Sequence, residues 1–144
     1  MEINLSSFKK DHGIVELFSE DMSEFWHTDD NLPHYINITF KKLTKVNSVV
    51  LTLLFSKDDS YTPSIIEIRA GMTRETLEPV CNLTLNEPEG DINFSVEKQC
   101  FFLQIIILSN HQDGKDTHIR RLRVINDKMK DILVLPASLT KRYL

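Results

Sequence analysis

The run CFFLQIIILSNHQDGKDTHIRRLRVI, residues 100–125, decides the fold. Cys100 to Ser109 is the most apolar segment of the chain. Continuous and of strand length, it fits a strand covered on both faces. Asn110 to Arg120 then gathers two amides, two imidazoles, two carboxylates, a lysine and an arginine around Gly114. Leu122 to Ile125 returns to a strand-like pattern. The polar cluster is therefore expected as a loop between two core strands, where binding and catalytic residues concentrate.

Outward from this run the period-two pattern repeats. Ile36, Ile38 and Phe40 alternate with Asn37, Thr39 and Lys41, and Val49, Leu51, Leu53 and Phe55 follow in the same way. Further strands are expected at Ile66 to Ala70, within Leu77 to Leu85, at Ile92 to Val96, and at Ile132 to Leu135. Turn signals separate them: SKDDSYTPS (56–64), Gly71, and NEPEGD (86–91). Only Ile14, Leu17 and Phe18 have helical spacing, enough for a short N-terminal helix. Residues 1–12 read as an irregular lead-in, and Asp21 to Asn31 as a polar loop carrying Trp26. Seven or eight short strands with regular turns predict an all-β sandwich or jelly roll. No internal repeat or low-complexity segment is visible.

The chain has 144 residues, 41% hydrophobic and 26% charged, which predicts a single domain with its own core. A net charge of -4 leaves no electrostatic footprint for nucleic acid. No apolar run reaches the roughly eighteen residues of a membrane span. MEINLSSFKKDH has no apolar segment of a secretory signal, so an intracellular location, nucleus and cytoplasm, is the expectation. Cys81 and Cys100 are then expected as reduced, buried thiols. The Asn-x-Ser/Thr matches at Asn4, Asn37, Asn82 and Asn93 are incidental on that reading.

By residue type alone, His111, His118, Asp113 and Asp116 are a candidate divalent-metal set, but their spacing matches no helical His-x-x-x-His pattern. Ser109 near His111 is a candidate nucleophile, with no nucleophile elbow or oxyanion motif beside it. The structural alternative is a loop that satisfies itself. Asp113 before Gly114 turns the chain, Asn110 caps backbone amides, and Asp116 pairs with Arg120 or Lys115. Trp26 is expected to fill the end of the core with its indole N–H bonded, leaving His27, Thr28, Asp29 and Asp30 at the surface. For His34, structural and binding roles stand equal. Pro63 fixes the Tyr61 loop by holding Thr62 extended. Lys128, Lys130, Lys141 and Arg142 make the C-terminal end positive.

Three strings together resemble one family. They are FWHTDDNLPHYINITF (25–40), DDSYTPSIIEIRAG (58–71) and SNHQDGKDTHIRRLRVI (109–125). Their order and spacing resemble the Doc domain of the anaphase-promoting complex, over roughly residues 10–126. The resemblance implies a galactose-binding-like jelly roll with no enzymatic activity, no cofactor and no metal. It implies a substrate co-receptor of a multi-subunit ubiquitin ligase. Such a subunit holds a destruction-box peptide with a propeller-type coactivator and raises the processivity of ubiquitination. The partners implied are other subunits of that complex, the coactivator and the degron. On this reading the loops at one end form the binding surface. Its residues are Asp29, Ser60, Tyr61, Asn110, His111, Gln112, Asp113, Lys115, Asp116, His118 and Arg120. A sugar-binding module of the same architecture is the alternative. Family members commonly end in an Ile-Arg dipeptide that docks on a helical-repeat scaffold subunit. This chain ends Lys141-Arg142-Tyr143-Leu144, so anchoring by the domain body or another use of the tail is expected.

Overall fold

Two strands far longer than the usual five or six residues organise the molecule. In the computed structural model, which describes residues 1–133, β3 runs His34–Leu54 and β6 runs Glu89–Asn110, paired antiparallel along their length. The sequence pattern divides each of these into two shorter strands. The division fails because pairing continues through two irregularities. Residues 40–43 of β3 lie opposite Phe101 alone, and Asn47 lies opposite both Val96 and Glu97. Glu97 takes a positive φ of 52°, as a bulge requires. The inward residues change parity across these bends. In β3 they are Ile36, Ile38 and Phe40, then Val49, Leu51 and Leu53; in β6 they are Phe94 and Val96, then Leu103, Ile105 and Ile107. A one-residue offset swaps the two faces of a strand, so these irregularities keep apolar side chains inward in both halves.

Each long strand thereby serves two layers. In one layer β1 (Glu2–Leu5), the first part of β3, the last part of β6, β4 (Pro63–Gly71) and β5 (Glu78–Thr84) lie side by side. In the other, β8 (Arg121–Ile125) joins the second part of β3, which pairs with the first part of β6. One core cluster, built from Ile36, Ile105, Ile66, Phe94, Leu51 and Val124 among others, fills the space between them. β1 corrects the expectation of an irregular lead-in, since Glu2 to Leu5 pair with Ile36 to Thr39. The helix α1 is a single turn, Ile14–Leu17. A second turn, α2 (Phe55–Asp58), follows β3 and was not signalled by periodicity. β2 (Trp26–His27) and β7 (His118–Ile119) form a separate two-residue ladder. Residues 127–144 were expected as a C-terminal tail; after β8, Asp131 bridges back to Ile125, so hydrogen-bonded structure runs into the start of that stretch. The expected strand at Ile132 to Leu135 and the tail residues Lys141 and Arg142 fall wholly or partly outside the described residues. Among the described residues no helix is long and apolar enough to cross a membrane.

Both cysteines are free. Cys100 is fully buried, and burial pushes its thiol up to about 11. Cys81 is half-buried and shifted in the same direction for the same reason. Because the thiolate is the reactive form, a disulfide-exchange dye at pH 8 is expected to leave Cys100 untouched in the native protein and to label Cys81 slowly. Both should react at once in denaturant. Rapid labelling of both thiols in the native state would contradict this burial.

Candidate functional site

The loop end of the sandwich is built around a buried carboxylate. Asp58, the last residue of α2, is 3% exposed. Arg120 grips it with two donors, Nη2 to Oδ1 at 2.5 Å and Nε to Oδ2 at 3.2 Å. His118 Nδ1 donates to the same Oδ1 at 2.9 Å. Burial alone would push the Asp58 carboxyl up. The hydrogen bonds from His118 and Arg120, with their charges, outweigh it and leave the group below the usual carboxylate range. The third face of the guanidinium is also used, since Arg120 Nη1 donates to the Met22 carbonyl at 2.8 Å and Cζ lies 4.3 Å from the centre of the Phe25 ring. One pair thus joins the α2 turn, the Met22–Phe25 loop and the segment entering β8.

Above this pair lies a stack of rings. Tyr61 is parallel to His118 (centroids 4.2 Å apart, 7° between planes), and Phe25 contacts the same imidazole at 4.2 Å. His27 touches both His118 (4.5 Å) and Tyr61 (5.4 Å), and His12 stacks on Phe25 at 4.5 Å. His27 Nδ1 donates to the Thr28 carbonyl at 2.6 Å. Burial holds His27 below its ordinary value despite that bond, with the neighbouring His118 and Lys9 acting in the same direction. With Nδ1 committed to Asp58, His118 presents Nε2 to the rest of the cluster. That atom is buried and has no hydrogen-bond partner among the described residues.

The 110–118 loop is held by its own side chains and by its neighbours. Asn110, 5% exposed, donates to the carbonyls of Gly114 (3.0 Å) and Asp116 (3.2 Å) and accepts from Thr117 Oγ1 (2.8 Å). It therefore caps carbonyls, where capping of amides was expected. Asp116 pairs with neither Arg120 nor Lys115; it accepts from Thr28 Oγ1 at 2.8 Å. Arg120 is taken by Asp58 because both are buried and the bidentate geometry satisfies both carboxylate oxygens. Thr28 is fully buried, against the expectation of a surface position, since its hydroxyl also accepts from Thr117 N–H at 2.9 Å. His34, fully buried, donates Nε2–H to the Lys115 carbonyl at 2.6 Å and so ties the start of β3 to the loop. Trp26 is buried, and its indole donates to the Ser7 carbonyl at 2.9 Å, as expected for a core-filling ring.

His111 is a bridge. Its Nδ1 must donate to the Thr62 carbonyl (2.9 Å), and its Nε2 accepts from the Glu87 amide (3.1 Å). Both ring nitrogens are used inside the fold, so the imidazole is not the free peptide donor that the sequence suggests. Gln112 and Asp113 stand at the tip with φ of 56° and 55°, closed by Gly114 N–H on the His111 carbonyl at 3.1 Å. A Cβ on Gly114 would lie 1.9 Å from the Ser60 carbonyl oxygen. The Tyr61 loop and the 110–118 loop interlock at that point, backbone against backbone.

Of the residues singled out from the sequence, Asp29, Tyr61, Gln112, Asp113 and Lys115 are exposed. Ser60, His111, Asp116 and His118 are half-buried, and Asn110 and Arg120 are buried. The three loops do converge, through Tyr61 on His118, Gly114 on Ser60, and Thr28 on Asp116. Among the described residues no group of three His, Cys, Asp or Glu is arranged to hold a metal ion. Sequence reasoning missed Asp58, Phe25 and His12. The doubled Asp58–Asp59 before SYTPS was the available signal, but its partner Arg120 is 62 residues away.

A family model described as anaphase-promoting complex, subunit 10 matches residues 1–140. Proteins named anaphase-promoting complex subunit 10 from Drosophila melanogaster and Homo sapiens are 36% and 35% identical over 127 residues, each match covering 84% of this chain. The match spans 65% of the fly protein and 69% of the human one, so this chain corresponds to about two thirds of their length. Anaphase-promoting complex subunit DOC1 of Saccharomyces cerevisiae is 28% identical, over 83% of this chain and 51% of its own. Among solved structures, the family 32 carbohydrate-binding module of Clostridium perfringens NanJ, in complex with galactose, superposes with a TM-score of 0.71 at 18% identity, covering 85% of this chain and 91% of that one. That likeness identifies the galactose-binding-like jelly roll.

Gly114→Ala is expected to force Ser60 and Gly114 apart and to cost ~2 kcal/mol in urea denaturation, as overpacking against rigid backbone does. A stability unchanged from wild type would show that the two loops are not locked together. Asp58→Asn leaves Arg120 buried against a neutral partner, at a cost of ~3 kcal/mol near pH 7. The depressed Asp58 carboxyl adds stability that is complete above the ordinary carboxylate value of ~3.9 and is lost as pH falls through its own lower value. The gap between wild type and Asp58→Asn should therefore narrow as pH is lowered from 5 toward 2. An equal gap at both ends of that range would mean the pair adds nothing through its charge.

Proposed function

The chain belongs to the anaphase-promoting complex subunit 10 family, and on that footing we propose that it is a non-catalytic substrate-recognition subunit of the anaphase-promoting complex ubiquitin ligase, working in the nucleus and cytoplasm. It associates with other subunits of that complex. With a propeller-type coactivator it holds a destruction-box degron and so raises the processivity of ubiquitination. The observation that carries this reading is the meeting of the three family-like strings at one end of the sandwich, through the rings of Tyr61 and Phe25 on His118.

The chemistry of that end suits an extended peptide. Lys115 and the Gln112 amide are exposed donors for peptide carbonyls, and the exposed carboxylates of Asp29 and Asp113 accept from peptide N–H groups or cationic side chains. Tyr61, 40% exposed, offers a flat amphipathic face backed by His118. Asn110, His111 and Arg120 contribute by stiffening the loops, because their donors are spent within the fold. A surface already rigid loses little conformational entropy on binding. The likeness to carbohydrate-binding modules carries the architecture alone and adds no ligand.

The test is single-encounter ubiquitination by the reconstituted ligase and coactivator carrying Gln112→Ala with Lys115→Ala, or Tyr61→Ala. Each is expected to shorten the ubiquitin chains added per encounter by about threefold to tenfold, the size of one or two interface contacts. Assembly of the ligase should be unaffected. Wild-type processivity in both variants would remove the degron from this surface.

A further inference from the structure

The end of the sandwich opposite the loops has a different character. β3 leaves the loop end at His34, turns at residues 40–43 and returns at Leu54, so the turn lies about 20 Å from the loops at ~3.3 Å per residue. A groove of about 410 Å³ opens there between the β3 turn and the segment after β8. Phe40, Leu43 and Ile132 give it an apolar floor, and Lys41, Lys42 and Lys45 line its wall. Leu43 is 43% exposed. Asp127 is the one carboxylate on the groove among the described residues.

A built turn continues from Asn126 and Asp127, which line the groove. Asn126 Oδ1 accepts from the amides of Lys128 (2.9 Å) and Lys130 (3.0 Å), and the Asn126 carbonyl accepts from Met129 N–H (3.0 Å). Asp131 Oδ1 ties the next turn down through the amides of Val124 and Leu133. The turn thus holds out Lys128, Met129 and Lys130, with Met129 77% exposed. Among the described residues, Lys45 alone of these five lysines has an ion-pair partner, Glu97 at 4.0 Å across exposed side chains. The chain as a whole carries a net charge of -4, so a cationic end with an exposed apolar centre runs against its overall balance.

We infer that this end is a docking surface for an acidic protein segment, one that sets an apolar side chain between Phe40, Leu43 and Ile132 and its carboxylates against Lys41, Lys42, Lys128 and Lys130. Charge complementarity selects the occupant: a cationic rim around an apolar groove repels a second copy of itself and attracts an acidic one. The inference rests on the reading of the chain as a subunit of the ligase, because its partner is then a neighbouring subunit. It assigns two tasks to two ends, anchoring at the lysine end and substrate at the loop end.

The full chain and its Lys41→Glu, Lys42→Glu, Lys128→Glu, Lys130→Glu variant are added to the recombinant complex assembled without this subunit, and incorporation is measured against salt. Wild type that never incorporates overturns the subunit reading itself. Wild type that incorporates while the variant falls by about tenfold or more, with a flatter salt dependence, supports the lysine end as the anchor. Equal incorporation overturns it. All four lysines are exposed, and an unchanged melting temperature verifies that the variant folds. Gln112→Ala with Lys115→Ala, at the loop end, is expected to incorporate as wild type does. Vesicles of phosphatidylserine in phosphatidylcholine serve as the competing occupant. Lysine-dependent vesicle binding in place of incorporation overturns the acidic segment.

Discussion

The buried Asp58–Arg120 pair is the interaction on which the loop end depends. It connects segments from three distant parts of the sequence: the α2 turn, the loop before Trp26 and the entry to β8. It also presents His118, whose ring supports Tyr61. An ion pair removed from water this thoroughly gains little net stability over well-packed apolar side chains. Its value lies in direction. A guanidinium with fixed donors admits one arrangement of the three segments, whereas an apolar cluster would tolerate several.

Much of the architecture was legible because apolar alternation is written directly into the strands. Ile36–Ile38–Phe40 and Val49–Leu51–Leu53 are separately recognisable, and so are Phe94–Val96 and Leu103–Ile105–Ile107. Their union into two long strands was not, because the joining stretches, KKLTK at 41–45 and EKQ at 97–99, are mostly polar and the pairing beside them is irregular. β1 was hidden for a related reason: Glu2–Leu5 is too short to establish a period and is defined by its partner Ile36–Thr39. At the loop end, residue types identified the surface, while hydrogen-bond accounting decided which residues face outward. His111 and Arg120 have the chemistry of ligand-binding groups and are consumed as internal braces. Asp58, the brace they suggest least, stood among exposed-looking turn residues. Such pairings are set by tertiary contact over long separations, which a single sequence does not display.

The two ends of the sandwich are joined by continuous backbone. β3 passes from the buried His34 beneath the loops, through the lysine-lined turn, back to the α2 turn that carries Asp58. β6 makes the same circuit from Glu89 to Asn110. A surface at either end is therefore fixed relative to the other by the ladder between these strands. A loop platform mounted this way stays in one orientation with respect to whatever grips the far end.

The same two strands also set how far apart in the chain the stabilising contacts lie. Leu54 pairs with Glu89, which closes the 55–88 segment, and every later pair along the ribbon, out to His34 with Ile107, joins residues still farther apart in the chain. Local helices contribute almost nothing, so chain-closure entropy precedes nearly all of the stabilising contact. Folding on the order of milliseconds to seconds is the consequence for such non-local topologies. The ribbon begins at the loop end, travels to the lysine end and finishes at the loop end again. The platform around Asp58 and Asn110 thus draws on both ends of the ribbon, Leu54 with Glu89 and His34 with Ile107. The recognition loops are complete only when the whole ribbon is paired.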